Sequence, residues 1–147
     1  MVQTSSLLAD TLFYVKDFLD GDITDPLSST RPGQEKFIMT SYPTRPVRYP
    51  LITIKDMGSF DLGSLGFQSE TSMFYIDVEI RVWGRNVSER DKIAQQIYND
   101  LKANQIGVSG TSQANNLHDL KLISMVNVDE DAVKSKVMTF RFLFVAT

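Results

Sequence analysis

Residues 74–83 constrain the fold more than any other stretch: Phe74, Ile76, Val78, Ile80 and Val82 alternate with Tyr75, Asp77, Glu79, Arg81 and Trp83. A β-strand turns successive side chains to opposite faces, so this alternation predicts one apolar face and one polar face. A strand of that kind belongs to an antiparallel sheet covered on one side and open on the other. The open side carries an aromatic residue near each end, Tyr75 and Trp83, and Gly84 breaks the pattern.

The neighbouring segments must supply the cover. In residues 5–19, Leu8, Leu12, Val15 and Leu19 recur at helical spacing, with Ser5 or Ser6 as a cap and Gly21 as a stop. A second helix is expected over residues 88–103, where Ser88 and Asp91 resemble a capping box and Ile93, Ala94, Ile97, Tyr98 and Leu101 form an apolar stripe. Residues 36–42 and 51–55 read as short strands, separated by Pro43, Pro46 and Pro50. Proline lacks the backbone donor, so that separator belongs at a sheet edge or in extended chain. Two closing strands, residues 120–128 and 134–145, flank the turn Asp129, Glu130, Asp131 and form a hairpin. Long loops are expected near residues 22–35, 57–72 and 104–119.

The order is therefore α-β-β-β-α-β-β. The fold class is α+β: a mostly antiparallel sheet of about five strands with two helices packed on one face. With 147 residues, 42% of them hydrophobic, the chain suits a single domain, residues 1–147, that can hold one core.

Composition excludes several function classes. There is no Cys, hence no disulfide, Cys-ligated zinc or thiol nucleophile. Net charge is −3, and no two of the 15 Lys and Arg are adjacent, which argues against a phosphate-tracking surface. No stretch approaches the ~20 apolar residues that span a bilayer. Residues 1–20 carry Asp10 and Asp17 without a basic start, so they do not read as a signal peptide. A soluble protein with no membrane partner is expected.

A search for chemistry finds no catalytic residue, metal set or cofactor site. His118, the lone His, sits beside Asp119, but no Ser lies in a nucleophile-elbow setting. Asp129, Glu130 and Asp131, and the pair Asp20 and Asp22, lack calcium-loop spacing. Gly58 and Gly63 have the glycine spacing of a phosphate loop, but Ser64 stands where its Lys must be. Asp77 and Glu79 share a strand face without the apolar surroundings that would raise a carboxyl for acid–base work.

What the chain has in excess is aromatic and apolar surface in irregular segments. Phe60, Leu62, Leu65 and Phe67 punctuate a Gly-rich stretch, Tyr75 and Trp83 stand on the open sheet face, and Arg45 and Arg48 lie among the prolines. That mixture is typical of protein interfaces.

The element order resembles that of the tail terminator (tail-completion) proteins of long-tailed phages. The residues carrying the likeness are the N-terminal helix, the segment from Ser41-Tyr42-Pro43 through Tyr49-Pro50-Leu51-Ile52-Thr53-Ile54, the strand from Tyr75 to Gly84, the helix from Glu89 to Leu101, and the closing hairpin. The resemblance spans nearly the whole chain and implies a ring, usually of six copies, that caps the tail tube and stops its polymerisation. It further implies docking to the tail tube protein and to a head-completion or neck protein, with DNA passing the bore unbound. Location would be the virion, after assembly in the host cytoplasm. On that reading Asp77 and Glu79, or Asp129, Glu130 and Asp131, line the bore with negative charge. Two alternatives stay open: a head–tail joining or minor tail protein, and a cellular small-molecule or peptide-binding module.

Overall fold

The computed structural model describes residues 7–31, 35–42, 47–64, 72–103, 117–130 and 133–146. Helix α1 spans Leu7–Asp22, and strands β1 (Ile38–Met39), β2 (Leu51–Ser64) and β3 (Ser72–Gly84) follow. Helix α2 (Val87–Ala103) precedes β4 (Leu117–Asp129) and β5 (Lys134–Ala146). The five strands form one sheet in the order β1-β2-β3-β5-β4. Every pairing is antiparallel except the short β1–β2 contact, where Ile38 stands opposite Ile52. The α+β order and the mostly antiparallel sheet are those expected from the sequence.

Strand β3 takes the centre because both its ladders are long. Ile52 and Ile54 of β2 stand opposite its Val82 and Ile80, while Phe140 and Phe142 of β5 stand opposite Val78 and Ile76. These side chains share one face and join Val15 and Leu19 of α1 and Ile93, Ala94, Ile97 and Leu101 of α2 in one core. Burying each large aliphatic or aromatic group stabilises by about 1.5–3 kcal/mol relative to exposure. Both helices therefore lie on the same side of the sheet, α1 against β1 and β2, α2 against β3 and β5.

Four boundaries differ from the sequence expectation. Helix α1 runs through Gly21 instead of stopping there, because Ile23 is buried and its N–H bonds to the Leu19 carbonyl at 2.8 Å. The strand expected over residues 36–42 shrinks to Ile38–Met39, and Phe37 and Ile38 are both buried instead of alternating. Residues 57–64, expected as a loop, continue β2: register shifts at Asp56/Gly58 and Asp61/Gly63 absorb the extra residues, Gly58 adopting φ 123° at the first. A bulge tolerates glycine where a regular ladder gains nothing from it. Likewise residues 117–119 of the expected loop belong to β4, and residues 65–71 and 104–116 lie outside the described residues.

The cap of α2 also sits earlier than expected. Asn86 Oδ1 accepts the Glu89 N–H at 2.9 Å, and Glu89 in turn accepts the Arg85 N–H at 3.1 Å, so the box is built from Asn86 and Glu89, not Ser88 and Asp91. Gly84 makes this tight entry possible. A β-carbon there would stand 2.9 Å from the Arg90 backbone nitrogen.

Candidate assembly interface

The open face of the sheet is polar in sequence but internally paired. Direct cross-strand opposition brings Lys55 to Glu79 at 3.7 Å and Arg141 to Asp77, a two-pronged contact at 2.8 and 3.0 Å. Such opposite charges facing each other across a ladder stabilise it modestly and hold both side chains flat. Arg141 also lies over the Tyr75 ring at 5.1 Å. Arg81 covers the Trp83 ring at 4.0 Å and donates to Ser135 Oγ.

Trp83 is roofed further by Tyr42 and Tyr49, at ring separations of 5.0 and 6.4 Å, whose hydroxyls meet at 2.6 Å. Burial, and then the bond to Tyr42, push the Tyr49 hydroxyl up to about 12. Trp83, expected as a sticky exposed residue, is half-buried and closes a small secondary cluster. Beside it an open cleft of about 300 Å³ is lined by Tyr42, Thr53, Lys55, Glu79 and Arg81.

The chain reaches this arrangement through Arg31, whose side chain is 4% exposed. Its guanidinium donates to the Asp25 carboxylate at 2.8 and 3.0 Å, to Glu35, and to the Arg48 and Pro50 carbonyls, each at 2.9 Å. A planar five-donor fork is the one side chain able to tie so many acceptors at once. Burial works upward on Asp25, but hydrogen bonds from Arg31 and the Leu27 N–H outweigh it and hold the carboxyl below its ordinary range. Arg48 is committed here too: its N–H bonds to Glu35 and its guanidinium to the Thr30 carbonyl at 2.7 Å. Arg45 lies outside the described residues.

The five acidic residues singled out in the sequence do not converge. Asp77 and Glu79 sit mid-sheet on β3, whereas Asp129 ends β4 opposite Lys134. Lys134 and Arg141, the β5 residue opposite Asp77, are seven residues apart along the strand, or about 23 Å. Asp129 bonds to the buried Arg90 of α2, which also holds Asp91 at 2.9 Å, and Lys136 reaches Asp91 from β5 at 2.9 Å. The Arg90 hydrogen bond keeps both Asp129 and Asp91 below the usual carboxylate range. Glu130 is exposed in the turn, and Asp131 lies outside the described residues. A second acidic pair joins the helix ends, where burial, and then Asp22, push Asp100 up to about 6.

Phe60 and Leu62 lie on β2, Phe60 opposite Tyr75; their side chains, and Leu65 and Phe67 entirely, are outside the described residues. The apolar exposure that is described lies elsewhere, on β4. Leu120 is buried and Leu122 packs against the core, but from there on the strand emerges into water. Ile123 is 47% exposed, Met125 40%, Val126 54% and Val128 38%. Opposition to Val137 and Ser135 puts Val126 and Val128 on the open face, while Met125, opposite Met138, faces the helical side. Among the described residues strand β4 pairs only with β5, and α2 reaches its end through the Arg90–Asp129 pair. A long, apolar strand with one bare edge is a template for another strand.

No protein-family model matches the chain, and no curated protein matches it either. Sequence reading missed β4 as the exposed surface, although Ile123, Met125, Val126 and Val128 carry a signal. They place apolar groups on both faces of a strand with no charge from residue 122 to 128. Arg31 and Arg90 carried no such signal, since a buried Arg and a solvated one look alike in a sequence.

Proposed function

We propose that the chain is a structural subunit of a phage tail, a tail terminator whose ring caps the tail tube, stops its growth and offers a face to the head-completion or neck protein. The observation that carries this reading is β4, four large apolar side chains left 38–54% exposed on a strand whose outer edge has no partner strand among the described residues. The element order that resembles the terminator family supports it from a second direction. Asp77, Glu79 and Asp129 each face a cation. The acidic turn at Glu130 is thus the better candidate for a bore lining that lets DNA slide, since phosphates are held by positive charge.

The deciding experiment is electron microscopy of particles that lack this chain. Overlong or headless tails are expected, restored by the chain supplied from a plasmid; tails of normal length on normal heads would reject the terminator reading. Loss of head joining with normal tail length would favour the head–tail joining alternative. The cleft beside Trp83 favours a binding module as the remaining reading, and a metabolite that raises the melting temperature saturably would argue for it.

A further inference from the structure

We propose that the sheet continues from one copy of this chain into the next, β4 of one copy adding antiparallel to the outer edge of the neighbour's β2. This rests on the ring reading above and names the two edges that meet. Pairing directions set the geometry: β2 and β5 run one way, β3 and β4 the other. Repeating the sheet sideways then brings β4 antiparallel to the next β2, with helical face continuing helical face. Contact between two different edges is head-to-tail, the kind that closes into a ring.

Both edges are open where this needs them to be. Strand β1 pairs with β2 only at Ile52 and Thr53, so from Asp56 to Ser64 the outer edge has no strand partner among the described residues. Met57 on that edge is 53% exposed, the counterpart of the apolar run on β4. Charge selects the direction. Antiparallel addition sets Lys55, on the open face at the start of the β2 edge, near Glu130 just beyond the end of β4. Parallel addition would instead put Lys121, at the start of β4 and on the same open face, near Lys55. Both lysine side chains are exposed. Each edge also carries two register shifts, which coil a sheet, and coiling is what a closed ring of adjoining sheets requires.

The chain has no Cys, so disulfide trapping reads the contact directly. Met57→Cys in the full-length protein is mixed with Met125→Cys, Val126→Cys or Asn127→Cys and oxidised. Strong mixed dimers for one of the three are expected, because opposed antiparallel positions meet disulfide geometry. The matching double variant is expected to give a covalent ladder that ends at the subunit number of the ring. Like-with-like dimers of the β4 variants alone would mean two-fold β4–β4 pairing and overturn the proposal, as would a wild-type chain that stays monomeric at millimolar concentration. Val126→Lys is expected to shift the oligomer to monomer with the circular dichroism unchanged; an oligomer that survives it overturns the proposal. The two readings fail separately. Mixed crosslinks with normal tails in the null particles would remove the terminator and keep the interface, whereas overlong tails with an oligomer indifferent to Val126→Lys would do the reverse.

Discussion

The two ends of the sheet are finished in opposite ways. At the β1 end, Arg31 gathers two carboxylates and two carbonyls, Tyr42 and Tyr49 roof Trp83, and α1 lies across the strands. At the β4 end a strand of 13 residues is left, among the described residues, with one ladder and exposed valines. The same chain therefore commits its buried polar bonds to the start of β2 and leaves the β4 edge, like the far part of β2, without a partner strand among the described residues. Natural sheets usually blunt such an edge with charge or proline. Its apolar character here is what an association surface needs and what a lone molecule lacks reason to keep.

The contrast can be broken from the covered side. Phe140→Ala, at the core where β3, β5 and α2 meet, is expected to cost about 3–5 kcal/mol in denaturant unfolding, enough to unfold a marginal domain. Arg31→Ala takes the charged donor from Asp25 and Glu35, which keep only the Leu27 and Arg48 N–H groups, and from two carbonyls, and is expected to cost about 2–4 kcal/mol. Arg31→Lys should recover only part of this, since an ammonium cannot reproduce the fork. A loss within 0.5 kcal/mol for Arg31→Ala would show that the β1 end is no more closed than the β4 end.

A smaller effect tests the seam between the helices. Asp100 is raised to about 6, so the folded state holds its proton more tightly than the unfolded chain does. Its contribution is fully present below the ordinary carboxylate range and is lost as pH rises through about 6. Asp100→Asn is expected to stabilise at pH 7 by up to about 1 kcal/mol, after allowance for solvent screening, and to flatten the stability curve between about pH 4 and 6. Below that window the lowered carboxyls of Asp25, Glu89, Asp91 and Asp129 act in the opposite sense and stability falls as they protonate. The smallest effect belongs to the bare edge. Val126→Ala is expected to change the monomer's unfolding free energy by less than about 0.5 kcal/mol, because the side chain buries little to lose. A cost like that of Phe140→Ala would mean that β4 is covered after all.

Periodicity alone determined the class, the element order, the alternating strand of residues 74–83 and both helix stripes. Each follows from which side chains can share an apolar face, and that is written in residue spacing. The hairpin of β4 and β5 was legible for the same reason. Spacing says nothing about which polar groups find partners. Trp83 looked exposed until Tyr42 and Tyr49 folded over it, and Asp77 and Glu79 looked like a shared negative face until the register placed Arg141 and Lys55 opposite them. Gly58 and Gly63 read as loop because local propensity cannot see that a neighbouring strand tolerates a bulge. Only the tertiary structure decided that the helices cover the sheet unevenly, packing on β1, β2, β3 and β5 and leaving β4 exposed from Ile123 onward. Burial is a property of what lies opposite a side chain, and what lies opposite is chosen by the packing of the whole molecule.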